Sequence, residues 1–130
     1  MSESGSVSVI VAAVMVLAVM SALVLGAVGQ TQAGALRAQT AADAAALAAA
    51  VATFPGTGSP APHVEAERLA AANGSRVARC ICPVDPSFTE RTVEITVRLE
   101  IEVLGFGQAT IERVSRAEFS PLAALGYGDP

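Results

Sequence analysis

A chain of 130 residues with a net charge of −4, whose eight basic residues are all arginine, has no basic stripe to offer nucleic acid. Aromatic residues make up 4% of it and tryptophan is absent, which argues against a large ring-lined pocket for a small-molecule substrate. Once a long apolar segment is set aside, about 75 residues remain, near the lower limit for a domain with its own core.

The apolar segment comes first. From Val7 to Val28 there is no charged residue and no proline, close to the roughly 20 apolar residues that cross a bilayer. Ala33 to Ala52 continues with strong helix formers and only two charges, Arg37 and Asp43. The pattern predicts one helix from about Ser6 to Thr53, on the order of 70 Å long, with its first half in lipid and its second half projecting. A cleaved signal peptide is the competing reading. Ala33-Gly34-Ala35 looks like a cleavage site, but Met1 to Gly5 carries the acid Glu3 and no base. Arg37, the only nearby cation, taken alone would favour a cytoplasmic C-terminal side, whereas whole domains translocate regardless of charge.

Small residues recur along this helix. Ala22, Gly26, Gly29 and Ala33 fall on neighbouring turns, and Ala38, Ala42, Ala46 and Ala50 follow at every fourth position. Such spacing lets two helices approach closely, so Gly26, Gly29, Ala38, Ala42, Ala46 and Ala50 are candidates for packing against other subunits. Alanine as a plain helix former is the alternative. Leu36, Asp43, Leu47 and Phe54 lie within about 40° of one another at 100° per residue. Asp43 thus interrupts an apolar line. Either it accepts a hydrogen bond from Gln39 one turn earlier, or it pairs with a cation of a neighbouring chain. Asp43 and Leu47 join the candidate assembly residues.

Phe54-Pro55 ends the helix, because the residue before proline is pushed out of the α region. Residues 56–62 form a Gly/Pro linker. Pro62 suits the first turn of a short helix over His63–Ala72, with Glu65 and Glu67 near its start and Asn73-Gly74 as its stop. His63, the only histidine, reads as solvated, and a zinc site built on imidazoles is not available. A short strand is expected over Val77–Val84. Thr92–Val103 alternates strictly, with Val93, Ile95, Val97, Leu99, Ile101 and Val103 on one face, and predicts a half-buried strand. After a turn at Gly105-Phe106-Gly107, Ala109–Phe119 returns antiparallel, with Arg113 the misfit on its apolar side. Leu47, Val51 and Phe54 of the first helix are expected to cover the sheet.

Cys80 and Cys82 point to the same side of a strand, about 6.5 Å apart at Cα. That makes a disulfide between them awkward unless Pro83 bends the chain. Buried free thiols and an internal or intersubunit disulfide both stay open. No further ligands suggest a metal site, and nothing calls for a cofactor. Glu94, Glu100, Glu102, Glu112 and Glu118, interspersed with Arg98, Arg113 and Arg116, read as cross-strand ion pairs and not as an acid–base pair.

The stretch RAQTAADAAALAAA, Arg37 to Ala50, after a single apolar segment resembles the hallmark of TadE/TadG-like pilus-assembly proteins. AERLAAANGSRVARC, Ala66 to Cys80, then the alternating strand and VSRAEF, Val114 to Phe119, resemble a short actinobacterial form of that family, encoded near helicase and secretion genes. The resemblance implies a pseudopilin or minor pilin of a tight-adherence (Flp/Tad) system, and not an enzyme. It would be single-pass in the cytoplasmic membrane with an extracytoplasmic C-terminal domain, partnered by other pilin-like subunits through its helix, and present in a surface filament or in its assembly. A departure is that pilin-like substrates usually carry Gly followed by Glu five positions on. Gly5 could serve for processing, but Ile10 stands where Glu would be.

The expected fold class is therefore α+β and pilin-like: a long N-terminal transmembrane helix, a short helix and a three-stranded antiparallel sheet. Its expected divisions are a leader (1–5), a transmembrane segment (6–30), an Ala-rich extension (31–54), a linker (55–62), a small α+β domain (63–120) and a tail (121–130). A membrane-anchored or secreted binding module with the same small domain is the alternative function.

Overall fold

A computed structural model of the chain describes residues 3–127, so Met1 and Ser2 of the expected leader and residues 128–130 of the expected tail lie outside it. The first element, α1, is a single α-helix of 50 residues, Glu3–Ala52, about 75 Å long. No hinge interrupts it between residues 29 and 34, where the chain offers neither proline nor a charge. Its end follows from Pro55: Phe54 takes an extended conformation (φ −97°, ψ 110°). A single 3₁₀ turn, Pro55–Thr57, opens the linker.

Helix α2, Pro62–Ala72, starts on its proline and carries Glu65 in its first turn. It stops where Asn73 caps it and Gly74 takes φ 73°. Three strands follow: β1 (Arg76–Ile81), β2 (Arg91–Val103) and β3 (Gly107–Phe119). They form one antiparallel sheet in the order β1-β2-β3. In β2 and β3, Val93 pairs with Ala117, Ile95 with Ser115, Val97 with Arg113 and Leu99 with Ile111, so Arg113 does sit among the inward-facing positions. The turn between these strands uses Gly105 and Gly107, both at positive φ (82° and 84°). Residues 121–124 form a short helix where the sequence predicts a weakly structured tail; Pro121 opens it and is itself buried.

The core lies between α1 and the sheet. Val93, Ile95 and Val97 are fully buried, together with Ala41, Ala42, Ala45, Ala46 and Ala49 of α1 and Ala66 and Ala70 of α2. This corrects the expectation that Leu47 and Val51 cover the sheet: both are exposed. Methyl side chains let the helix backbone come close to the aliphatic row of β2 and to α2 at once. A leucine in the seam would hold these elements apart, since interiors have no spare volume. The bulky residues of this half of α1 are therefore turned away from the head. Phe54 is half-buried at the far end, beside Phe88 (ring centroids 5.4 Å apart).

The two ends of the seam are fixed differently. Near the hairpin turn, the Leu104 amide donates to Gln30 Oε1 at 2.9 Å. There α1 passes so close to the sheet that a Cβ on Gly34 would lie 2.9 Å from Ile111 Cδ1. At the other end the Asp85 amide donates to the Thr53 carbonyl at 2.9 Å.

Candidate assembly face

The candidate residues of α1 separate into three sets once the head is in place. Ala38, Ala42, Ala46 and Ala50 are buried by the chain's own sheet and α2. They are not free to pack against other subunits as the four-residue spacing suggested. The spacing does mark close packing, but the partner is intramolecular, which a sequence pattern cannot distinguish. Gly26 and Gly29 are open, with nothing within 4 Å of a Cβ built on either. Asp43 and Leu47 form the third set, both exposed, with Leu36 exposed on the same line (Leu47 62%, Leu36 70%).

This third set continues one line. Leu36, Thr40, Asp43, Leu47 and Val51 fall at steps of four, three, four and four residues, a straight stripe on an α-helix. All five are exposed, on the side of α1 that the head leaves uncovered. Asp43 sits in the middle, and its Oδ1 accepts a hydrogen bond from Gln39 Nε2 at 2.9 Å. The acid thus has a partner on its own helix. An isolated helix residue that exposes leucine twice beside a satisfied carboxylate is common. What is uncommon is the continuity with residues 5–26, where the large aliphatic side chains are all exposed as well.

Gly5 lies on the first turns of α1, also with open surroundings. Cys80 and Cys82 are joined, with Cα atoms 5.5 Å apart. That is inside the usual range for a disulfide and shorter than the strand spacing, because β1 ends at Ile81 and Cys82 has left the ladder. His63 is exposed at the start of α2. On the outer face of the sheet Arg98 meets Glu112 at 2.6 Å and Arg116 meets Glu94 at 2.7 Å. These are the cross-strand pairs expected, and as surface pairs whose arginines are exposed each contributes at most about 1 kcal/mol. Among the described residues, no group of three His, Cys, Asp or Glu could hold a metal ion.

Arg91 escaped the sequence reading. Its side chain is 8% exposed, and its guanidinium donates to the Asp85, Ser87 and Thr89 carbonyls. It also lies over the Phe54 ring, 6.0 Å from the centroid. One cation therefore gathers the loop between β1 and β2 and sets it on the end of α1. The signal was faint: an arginine that follows a loop with two prolines, at the start of a strongly alternating strand.

Residues 5–52 match a family model described as "Putative Flp pilus-assembly TadE/G-like". The matched segment is α1 from its first turn to its last residue, so the likeness covers the helix with the alanine-rich stretch and does not extend to the head. No curated protein matches the chain, and no solved structure does.

Proposed function

We propose that the protein is a single-pass, membrane-anchored subunit of a Flp/Tad-type pilus or secretion assembly, a pseudopilin or minor pilin. In this reading residues 6–30 span the cytoplasmic membrane, residues 31–54 form the extramembrane stalk, and residues 63–120 form an extracytoplasmic head. The family match supports the role in Flp/Tad pilus assembly. The observation that carries the finer reading is the unbroken helix: α1 is long and apolar enough to cross a bilayer and continues without a break as the support of the head.

Such a rod has one free side. The head packs on the alanine side, and the line from Leu36 to Val51 stays open for the helix of a neighbouring subunit. Gly26 and Gly29 extend the possibility of close approach into the lipid. An exported head would keep the Cys80–Cys82 bond oxidised. Alkylation of the intact protein before and after reduction, read by mass, checks that bond directly.

Sequencing the N-terminus of the mature protein from cells tests the anchor. A start at Met1 or Ser2 supports an uncleaved span, and a start at Ser6 supports prepilin-type processing at Gly5. A start near Gly34 to Leu36 would detach the head from its membrane segment and overturn the reading. Co-purification tests the assembly role: Gly26→Leu should reduce recovery of other pilus components, and unchanged recovery counts against helix packing at that site.

A further inference from the structure

Beyond the helix, the structure offers a second apolar feature at the same height. The turn Leu104-Gly105-Phe106 between β2 and β3 exposes Leu104 at 58% and Phe106 at 71%. No charged residue occurs between Glu102 and Glu112, a run that includes the whole turn. The Leu104 amide is tied to Gln30, and Gln30 comes two residues after Val28, where the uncharged apolar run of α1 gives way to Gly29, Gln30, Thr31 and Gln32. The hairpin tip is therefore held at the level where the helix leaves hydrocarbon. Along the sheet, Arg116 with Glu94 lies toward the opposite end and Arg98 with Glu112 at mid-strand, while Glu102 is the charge nearest to the turn. The turn itself exposes only uncharged side chains beside the apolar helix.

We propose that this hairpin tip is a membrane-interface anchor, with Leu104 and Phe106 inserted among the lipid headgroups beside α1. It rests on the reading of α1 as a membrane span. Interfacial anchors bury apolar side chains about 5–10 Å into the boundary between headgroups and acyl chains, and aromatic rings favour that depth. A second contact with the bilayer would fix the tilt of the rigid helix-and-head unit, because the head is packed on α1. A single helix leaves that tilt free, and it decides how the stripe from Leu36 to Val51 leans relative to the membrane. The occupant is lipid and not a protein partner because the turn is continuous with the lipid-facing part of α1 through the Gln30 contact.

The test uses the full-length chain in lipid vesicles. Because the protein lacks tryptophan, each of three variants carries a single fluorescent reporter: Leu17→Trp within the span, Phe106→Trp at the tip, and Tyr127→Trp. Tyr127 follows Phe119, which pairs with Arg91 at the far end of the sheet. Vesicles contain lipids brominated either near the headgroup or deep in the chains. Leu17→Trp should be quenched most by the deep label. Phe106→Trp should shift its emission to the blue and lose about half its intensity to the shallow label, as expected for burial at interfacial depth. Tyr127→Trp should be unaffected, which also shows that the indole does not draw the head down by itself. Quenching of Leu17→Trp without quenching of Phe106→Trp would overturn the anchor and leave the span intact. Equal quenching of Phe106→Trp and Tyr127→Trp would mean a head lying flat, and also overturns tip-first insertion. Loss of quenching at Leu17→Trp would remove the span and the anchor together.

Discussion

The two halves of α1 are built from the same strong helix formers, yet they expose opposite things. Residues 5–26 present valine, leucine and methionine around the helix with no cover from the rest of the chain. Residues 34–52 bury glycine and alanine and expose their few large side chains. Side-chain size decides between the two. A helix that must carry a head against one flank needs short side chains there. A helix that faces lipid needs apolar bulk and gains nothing from close approach except toward another helix. A single unbroken element thus passes from a half that the rest of the chain leaves bare to a half covered by its own sheet at Gly34, where the closest approach begins.

The largest effect should come from removing volume on the sheet side of that seam. Ile95 is the largest fully buried side chain, and Ile95→Ala should destabilise the head by about 2–5 kcal/mol. Denaturant unfolding of the purified protein in detergent, followed by strand circular dichroism, measures it. Adding volume on the helix side comes next. Ala45→Leu should cost about 1–3 kcal/mol by prising α1 from the sheet. Gly26→Leu, in the uncovered half where nothing is within 4 Å, should leave head stability unchanged. Equal effects at the two sites would erase the distinction between the halves.

A smaller effect on stability, but a clear one on association, belongs to the exposed stripe. Leu47→Asp should change head stability by no more than about 0.5 kcal/mol, as is usual for exposed positions. It should nevertheless reduce co-purification of partner subunits, because it puts a charge into the proposed contact. If the variant unfolds the head, Leu47 is not free; if association persists, the stripe is not the contact.

Much of this fold was legible in the sequence because it depends on periodicity. The alternation of Val93 through Val103 gave the strand and its buried face, and Pro55, Pro62 and Asn73-Gly74 gave the helix boundaries. The positions of Arg98, Glu112, Glu94 and Arg116 gave the wet face. What failed was the assignment of faces on α1. Hydrophobicity ranks leucine and valine above alanine for burial, which predicts Leu47 and Val51 on the sheet. Close packing reverses that ranking where two elements flank one helix, and a helix rich in alanine all round gives no single periodic face to read. Ideal strand spacing makes a Cys80–Cys82 bond awkward, whereas Cys82 lies just outside the strand. The role of Arg91 was invisible because its acceptors are backbone carbonyls, which no residue pattern records.

The smallest predicted effect is local and concerns the far end of the seam. Asp85 holds its carboxyl below the ordinary carboxylate value, chiefly because it accepts the Ser87 amide (2.8 Å) and the Ser87 hydroxyl (3.0 Å), with a lesser contribution from the Arg91 guanidinium. A carboxyl whose pKa is lower folded than unfolded stabilises the fold fully above its unfolded value of about 3.9. That contribution is lost as pH falls through the lower, folded value. Acidification into that range should therefore raise hydrogen exchange at the Ser87 amide before exchange rises at Val93 or Ile95, measured by NMR on the protein in detergent. Asp85→Asn keeps an acceptor but removes the titration, so the exchange at Ser87 should lose its acid dependence. If the core amides open together with Ser87, the loop is not a separate clasp on α1, and the far end of the seam is held by the sheet alone.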